Sequence, residues 1–208
     1  MYAMEEELFL LIPGLLSAIP SCLLGIAGYV LSALAIYVIS RRRGLSKPWL
    51  AWIPVVNCWL LGSLSDQYQY VVRRENKSKR KILLALSIVM HLLSVLIFVQ
   101  AAGAVTTVIF GSHHYQSGFT AEIWRPVMSI LGLCLPLSGV AIAYAIIRYM
   151  ALYDIYKSLD PNNCVLFLVL SVLFQITEPF FLFFNRNKDS GMPPRRPEPV
   201  YAEDKDYL

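Results

Sequence analysis

Three long apolar runs that lack Asp, Glu, Lys and Arg constrain this chain more than any other feature. They cover residues 21–40, 82–110 and 126–147. Each is long enough for a helix to cross the apolar core of a bilayer, which takes about 20 residues. Within that core a chain satisfies its backbone polar groups only as helices or as a closed barrel. The runs therefore predict an all-α, polytopic membrane protein.

The composition agrees with this fold class. Hydrophobic residues make up 57% of the chain and charged residues only 15%, whereas soluble domains are about a quarter charged. The net charge of +4 is modest, and no soluble domain with a basic face is present, so nucleic acid is not a predicted partner. The predicted partners are the lipid bilayer and other membrane proteins or further copies of this chain.

Two further apolar runs are broken by proline. The first, Trp49–Gly62, contains Pro54 and Asn57 and has basic residues on both flanks. It is too short to cross the bilayer, so it is predicted to be re-entrant or interfacial. The second, 164–184, contains Glu178 and Pro179. Its length suits a fourth span, but its broken helix suits re-entry, and both alternatives stay open. The chain is thus predicted to have three to four transmembrane helices and one or two broken segments.

The distribution of basic residues predicts the orientation. Of the 18 Lys and Arg residues, none precedes the first run and only Arg125 lies between the second and the third. Basic residues collect on the cytoplasmic side of membrane proteins. We therefore expect a multi-pass protein of the cell membrane, with its N-terminus outside and its C-terminus cytoplasmic. Residues 1–184 form the predicted membrane domain. Residues 185–208, rich in Pro and charge, form a predicted disordered cytoplasmic tail.

The search for catalytic motifs finds no HExxH, GxSxG or GxxxxGK pattern in a suitable context. The four cysteines include no CxxC pair and are interpreted as small apolar side chains. No catalytic, cofactor-binding or metal-binding residue is predicted. An enzyme is accordingly the least favoured class.

Polar residues inside the apolar runs are the candidate functional positions, because ionisable groups at membrane depth are costly. They are His91, Glu178 and Asn57. For His91 the alternatives are a proton relay or ligand contact and a plain hydrogen bond to a neighbouring helix.

Glu178 has several possible partners. It could pair with Arg148 or Lys157, or cap the half-helix that starts at Pro179. Asp154 and Lys157 are three residues apart and are predicted to form an ordinary surface pair.

A basic cluster follows the first broken run. Its cations are candidate contacts for anionic lipid headgroups, at about 1 kcal/mol for each residue near the surface. The alternative is that the cluster only sets the topology. Its members are Arg73, Arg74, Lys77, Lys79, Arg80 and Lys81.

Two motifs carry a family resemblance. They are RRRGLSKPWLAWIPVVNCWLLGSLSDQYQY at 41–70, and PFFLFF followed by RNKDSGMPPR at 179–195. The chain resembles a group of small uncharacterised membrane proteins from clostridial and related Gram-positive bacteria. The resemblance implies a bacterial plasma membrane and a shared membrane domain. It implies no activity, and no functional residue can be transferred from it.

Two functional hypotheses follow. The first is a structural or interaction subunit that packs with other membrane proteins or with lipids. The alternative is a small transporter or channel component that uses the broken helices, with His91 and Glu178 as its polar points.

Overall fold

The computed structural model describes residues 2–75, 78–111 and 119–193, and within them the side chains of 19–75, 78–106, 124 and 127–193. Every regular element in these residues is helical, as the sequence predicts. A 3₁₀-helix at Pro48–Trp52 precedes α2, and a π-helical turn at Gln69–Arg73 follows it. The α-helices are α1 (Tyr2–Arg42), α2 (Pro54–Tyr68), α3 (Lys79–Gly111), α4 (Phe119–Leu159), α5 (Cys164–Leu173) and α6 (Thr177–Asn185).

Three of these helices are long and apolar enough to cross a membrane. The spanning parts are Ile19–Arg42 of α1, Lys79–Thr106 of α3 and Val127–Leu159 of α4, with mean hydropathies of 2.3, 2.8 and 2.3. They overlap the three predicted runs, and the α4 part extends beyond its run to Leu159. Large apolar side chains such as Leu92 and Leu135 are exposed on them, as expected where lipid replaces water around a helix. The chain is a polytopic helical membrane protein.

One end of the helix bundle collects the charged contacts, and we call it the basic end. Arg43, just after α1, donates from Nη2 to Ser158 Oγ near the end of α4, at 2.7 Å. Lys79, the first residue of α3, lies 2.6 Å from the Asp154 carboxylate of α4. The end of α1, the start of α3 and the end of α4 therefore meet at the same level.

The first broken run is a re-entrant hairpin. Its 3₁₀-helix leads inward, because Trp52 O accepts a 2.6 Å hydrogen bond from Tyr29 OH. Tyr29 lies 13 residues before the end of α1, about 20 Å along the helix axis. Helix α2 then returns to the basic end, where Gln67 Nε2 donates to Arg43 O at 3.2 Å. Trp49–Gly62 therefore starts from and returns toward the same end of the bundle, as expected for the predicted re-entrant or interfacial segment.

The second broken run also turns back. Helices α5 and α6 contain 10 and 9 residues, so each is about 15 Å long, half the thickness of the apolar core. The segment begins beside Asp160, where α4 has ended. It finishes at the same end, because Ser190 Oγ donates to Leu159 O at 2.8 Å and Gly191 N to Ser158 O at 3.1 Å. The segment thus starts and ends at the same end of the bundle, the geometry that the re-entrant alternative predicts.

The start of the predicted tail packs against the helix ends. Asp189 accepts a 2.9 Å hydrogen bond from Arg43 Nη2 and lies 3.0 Å from Arg42 Nη2. Lys188 pairs with Asp160 at 3.3 Å. Residues 185–193 thus make defined contacts, whereas their composition predicts a disordered tail. The remainder of that tail, 194–208, lies outside the described residues.

The buried core forms where the two hairpins pack between α1 and α4 near the basic end. Helix α1 packs against α6 and the 3₁₀-helix, while α3 and α4 pack against each other and against α2. Within a bilayer such packing is stabilised by van der Waals contacts between the side chains, because lipid tails are as apolar as the side chains themselves. The largest fully buried members are Tyr156, Ile36, Ile39, Leu60, Leu64, Leu83, Leu152, Ile155, Leu159 and Leu182.

Candidate functional site

A cavity of about 640 Å³ lies between α1, α4 and the tips of the two hairpins, and we call it the hairpin cavity. Pro54, the first residue of α2, and Gln175, in the break between α5 and α6, both line it. Leu24 and Ile176 on its rim are exposed, so it is open to the surroundings. Its volume is typical of pockets that bind small organic ligands, about 300–1,000 Å³.

One wall of the hairpin cavity is a face of small residues on α1. Ser21, Gly25, Gly28 and Ser32 line it, and their spacings of four, three and four residues place them on one side of a helix. A Cβ atom at Gly25 would meet nothing within 4 Å, and one at Gly28 would lie 3.6 Å from Pro179 Cγ. The small side chains leave the space that forms the cavity.

An ion pair joins two of the other walls. Arg148 Nη2 of α4 donates to Glu178 Oε1 of α6 at 2.6 Å, and Glu178 is only 3% exposed. Of the two basic residues predicted as possible partners of Glu178, Arg148 forms the ion pair. Lys157 instead lies over the Tyr153 ring at 5.6 Å.

The ion pair lies at membrane depth. Arg148 is 11 residues before the end of α4, so it lies about 16 Å along the axis from the basic end. Asp154, which pairs with Lys79, is six residues nearer to that end. Ionisable groups at this depth are rare and usually functional.

Two polar side chains of α2 border the same space. Asn57 lines the hairpin cavity, and no hydrogen bond of its side-chain amide occurs within the described residues. Cys58 Sγ lies 2.9 Å from Tyr144 OH, one helical turn before Arg148 on α4. The structure therefore brings the candidate residues Asn57 and Glu178 to one site.

His91 lies elsewhere. It belongs to an exposed position of α3 and does not line the hairpin cavity. Its Nδ1 is 2.7 Å from Ser87 O, one turn earlier in the same helix. This contact lies within α3, so it is neither the proton relay nor the interhelical hydrogen bond that the sequence suggests for His91.

A second buried polar cluster lies at the basic end, and sequence reasoning missed it. Asp154 is only 2% exposed and accepts hydrogen bonds from Lys79 Nζ and Ser65 Oγ at 2.6 Å each and from Gln69 Nε2 at 2.8 Å. The prediction of a surface pair between Asp154 and Lys157 is therefore wrong. Polar residues at 65 and 69, one turn apart on a mostly apolar helix, were the available indication of a buried partner.

The basic cluster is divided between the interior and the surface. Lys79 is 8% exposed and bound to Asp154, so it departs from the prediction of a headgroup contact. Helix α3 begins at Lys79. Asp66 Oδ1 and Oδ2 accept hydrogen bonds from the backbone N–H groups of Lys79 and Arg80, at 2.9 and 3.2 Å. Lys77 lies outside the described residues. The candidates whose side chains are exposed are Arg73, Arg74, Arg80 and Lys81.

The described residues contain no group of three His, Cys, Asp or Glu side chains that could hold a metal ion. No family model, curated protein or solved structure matches the chain. The resemblance to the clostridial group accordingly stays a prediction.

Proposed function

We propose that this chain binds a small ligand in the hairpin cavity, as a component of a small transporter or channel. One observation supports the proposal: the Arg148–Glu178 ion pair lines an open cavity at membrane depth. The side chain of Glu178 is 5% exposed and that of Arg148 is 31% exposed. Such a pair is a poor way to gain stability, because the cost of desolvating charges can exceed their attraction. Apolar side chains would serve packing at this position as well or better.

The broken helices give a second line of support. Helix α2 begins at Pro54, and α6 has Pro179 in its first turn. Both prolines line the cavity, so two helix N-termini, which carry partial positive charge, border it. Transporters commonly build their substrate sites from discontinuous helices in this way. Each hairpin also follows a long span, 48–68 after α1 and 164–185 after α4, a layout compatible with two structural repeats.

For the orientation we propose that the basic end faces the cytoplasm. The basic end carries Arg42, Arg43 and Lys79 and the start of the tail. This arrangement satisfies the tendency of Lys and Arg to stay on the cytoplasmic side. The N-terminus is then outside the cell membrane and the C-terminus inside.

The interaction subunit remains the second candidate, and a different observation favours it. The most apolar 18-residue window of the α4 span has no buried residue, and that of α3 is 11% buried. The exposed side chains of α3 and α4 are therefore in contact with lipid or with helices of another protein. Stoichiometric co-purification of a second membrane protein would support the partner.

The proposed function is tested by filling the cavity. Gly25→Leu places a side chain in the cavity, where a Cβ meets nothing within 4 Å, and Gly132→Leu is the matched control in open space outside it. The native Cys58 in the cavity reports access, once Cys22, Cys134 and Cys164 are replaced by Ser. Its rate of modification by a small methanethiosulfonate reagent is measured in proteoliposomes.

We expect Gly25→Leu to slow the modification of Cys58 and Gly132→Leu to leave the rate unchanged. Equal Cys58 rates in all three proteins would mean that ligands do not enter through the cavity, which would exclude the proposal.

A further inference from the structure

The charges of the hairpin cavity sum to zero. Among the described residues that line it, Arg148 and Glu178 are the charged ones, and they pair with each other. Any ligand that adds a net charge would leave an uncompensated charge in a site of low polarity. Such a charge is costly to bury. The neutral balance therefore restricts the ligands that the cavity can take.

Most of the hydrogen-bonding capacity of this pair is unused. A guanidinium has five N–H donors, and within the described residues Arg148 gives one of them, from Nη2, to Glu178 Oε1. No described donor binds Glu178 Oε2. The Asn57 side chain, which also lines the cavity, likewise has no partner among these residues. The site thus offers both donors for an anionic group and an acceptor for a cationic one.

We infer that the ligand of the hairpin cavity is a zwitterion with an apolar portion. Its anionic group would bind the remaining N–H groups of Arg148 and the Asn57 amide, and its ammonium group would bind Glu178. A zwitterion keeps the charge of the site at zero, whereas a simple anion would compete with Glu178 for the guanidinium. This inference rests on the proposed function and names its substrate class.

The apolar portion follows from the remaining lining. Leu24, Leu61 and Ile176 line the cavity, and Leu24 and Ile176 are exposed at its rim. An apolar group can therefore extend from the charged centre toward the surrounding lipid. Two sources share this chemistry: a lipid with a phosphoethanolamine head and a free amino acid with an apolar side chain.

The first test needs no mutation. Full-length protein in dodecyl maltoside is titrated calorimetrically with two zwitterions, lysophosphatidylethanolamine and L-leucine. The comparison probes are lauric acid as the anion, dodecylamine as the cation and monolaurin as the neutral amphiphile. We expect one zwitterion to bind on the order of tenfold more tightly than each comparison probe, the size of one charge-assisted hydrogen bond. The zwitterion that binds identifies the source.

The second test uses charge variants. Arg148→Gln with Glu178→Gln removes both charges together and leaves no uncompensated charge in the cavity. It should lose the preference for the zwitterion and still bind monolaurin as the wild type does. Glu178→Gln alone should shift the preference to lauric acid. His91→Gln, outside the cavity, should keep the wild-type order of probes.

The outcomes separate this inference from the proposed function. If lauric acid or monolaurin binds wild-type protein as tightly as both zwitterions, or if the double variant keeps the preference, the zwitterion assignment is overturned and the cavity remains a binding site. If none of the probes binds, the assignment is overturned, and the Cys58 modification rates decide separately whether the cavity admits a ligand.

Discussion

The ammonium of Lys79, at the start of α3, lies 2.6 Å from the carboxylate of Asp154 near the end of α4, and both side chains are buried. Ser65 and Gln69 of the first hairpin donate to the same carboxylate. One acidic group therefore fixes α2, α3 and α4 relative to one another. Helix α2 belongs to the first hairpin and lines the hairpin cavity. The same cluster therefore also positions the α2 wall of that cavity.

Removing one member of this pair should destabilise the protein strongly. We expect Asp154→Asn to lower the free energy of unfolding by about 3–5 kcal/mol, because the Lys79 charge would stay buried without its counter-charge. Thermal unfolding in dodecyl maltoside measures the loss. Asp160→Asn is the matched control at the same end of α4, where the side chain pairs with Lys188 on the surface.

The double variant Lys79→Met with Asp154→Leu separates charge from packing. It removes both charges, so its loss of stability should be smaller than that of Asp154→Asn alone. A double variant less stable than the single one would show that the cluster stabilises the helix junction by more than charge compensation.

Asp66 should stabilise the start of α3. Its two carboxylate oxygens accept from the first backbone N–H groups of that helix, which otherwise lack intrahelical partners. We expect Asp66→Ala to cost about 0.5–2 kcal/mol, the usual effect of losing a helix cap. Asp66→Asn retains one acceptor oxygen and should cost less, and equal losses would argue against capping. Denaturant titration of the purified protein compares the two.

The sequence allows the spans and the hairpins to be predicted because they depend on local properties. An apolar run of a given length spans the bilayer, and a proline inside a shorter run breaks it, whatever the rest of the chain does. The same reasoning identified Glu178 as costly at membrane depth and gave Arg148 among its partners. Those residues are 30 positions apart, on neighbouring helices.

The long-range polar contacts were not predictable from local properties. Lys79 and Asp154 are 75 positions apart, and Arg43 and Asp189 are 146 apart. Composition assigns all four to solvated loops or surfaces, because a charged side chain near a helix end is usually solvated. Only the packing of the hairpins between the spans brings them together. The small residues of α1 are ambiguous for the same reason: Gly25 could face a helix, lipid or a cavity.

Gly62 should be required for the close approach of α2 and α3. A Cβ atom there would collide with the backbone of Arg80, whereas one at Gly103, further along α3, would meet nothing within 4 Å. We expect Gly62→Ala to cost about 1–3 kcal/mol through overpacking. Gly103→Ala should cost nothing, since alanine is the better helix former. Thermal unfolding of the two variants is the measurement, and equal melting temperatures would contradict the close contact.

Accessibility of single cysteines should show that both hairpins re-enter from the basic end. In a background without the four native cysteines, Arg74→Cys, Asn162→Cys and Lys188→Cys replace exposed residues. Position 74 follows the first hairpin, and positions 162 and 188 lie before and after the second. We expect an impermeant maleimide to leave all three unlabelled in intact cells and to label them in inside-out vesicles. Gln116→Cys, between α3 and α4 in the sequence, should show the opposite pattern, because one predicted span precedes it and another follows it. Labelling of position 188 together with position 116 would mean that 164–184 crosses the membrane, and the hairpin cavity would then lose its α6 wall.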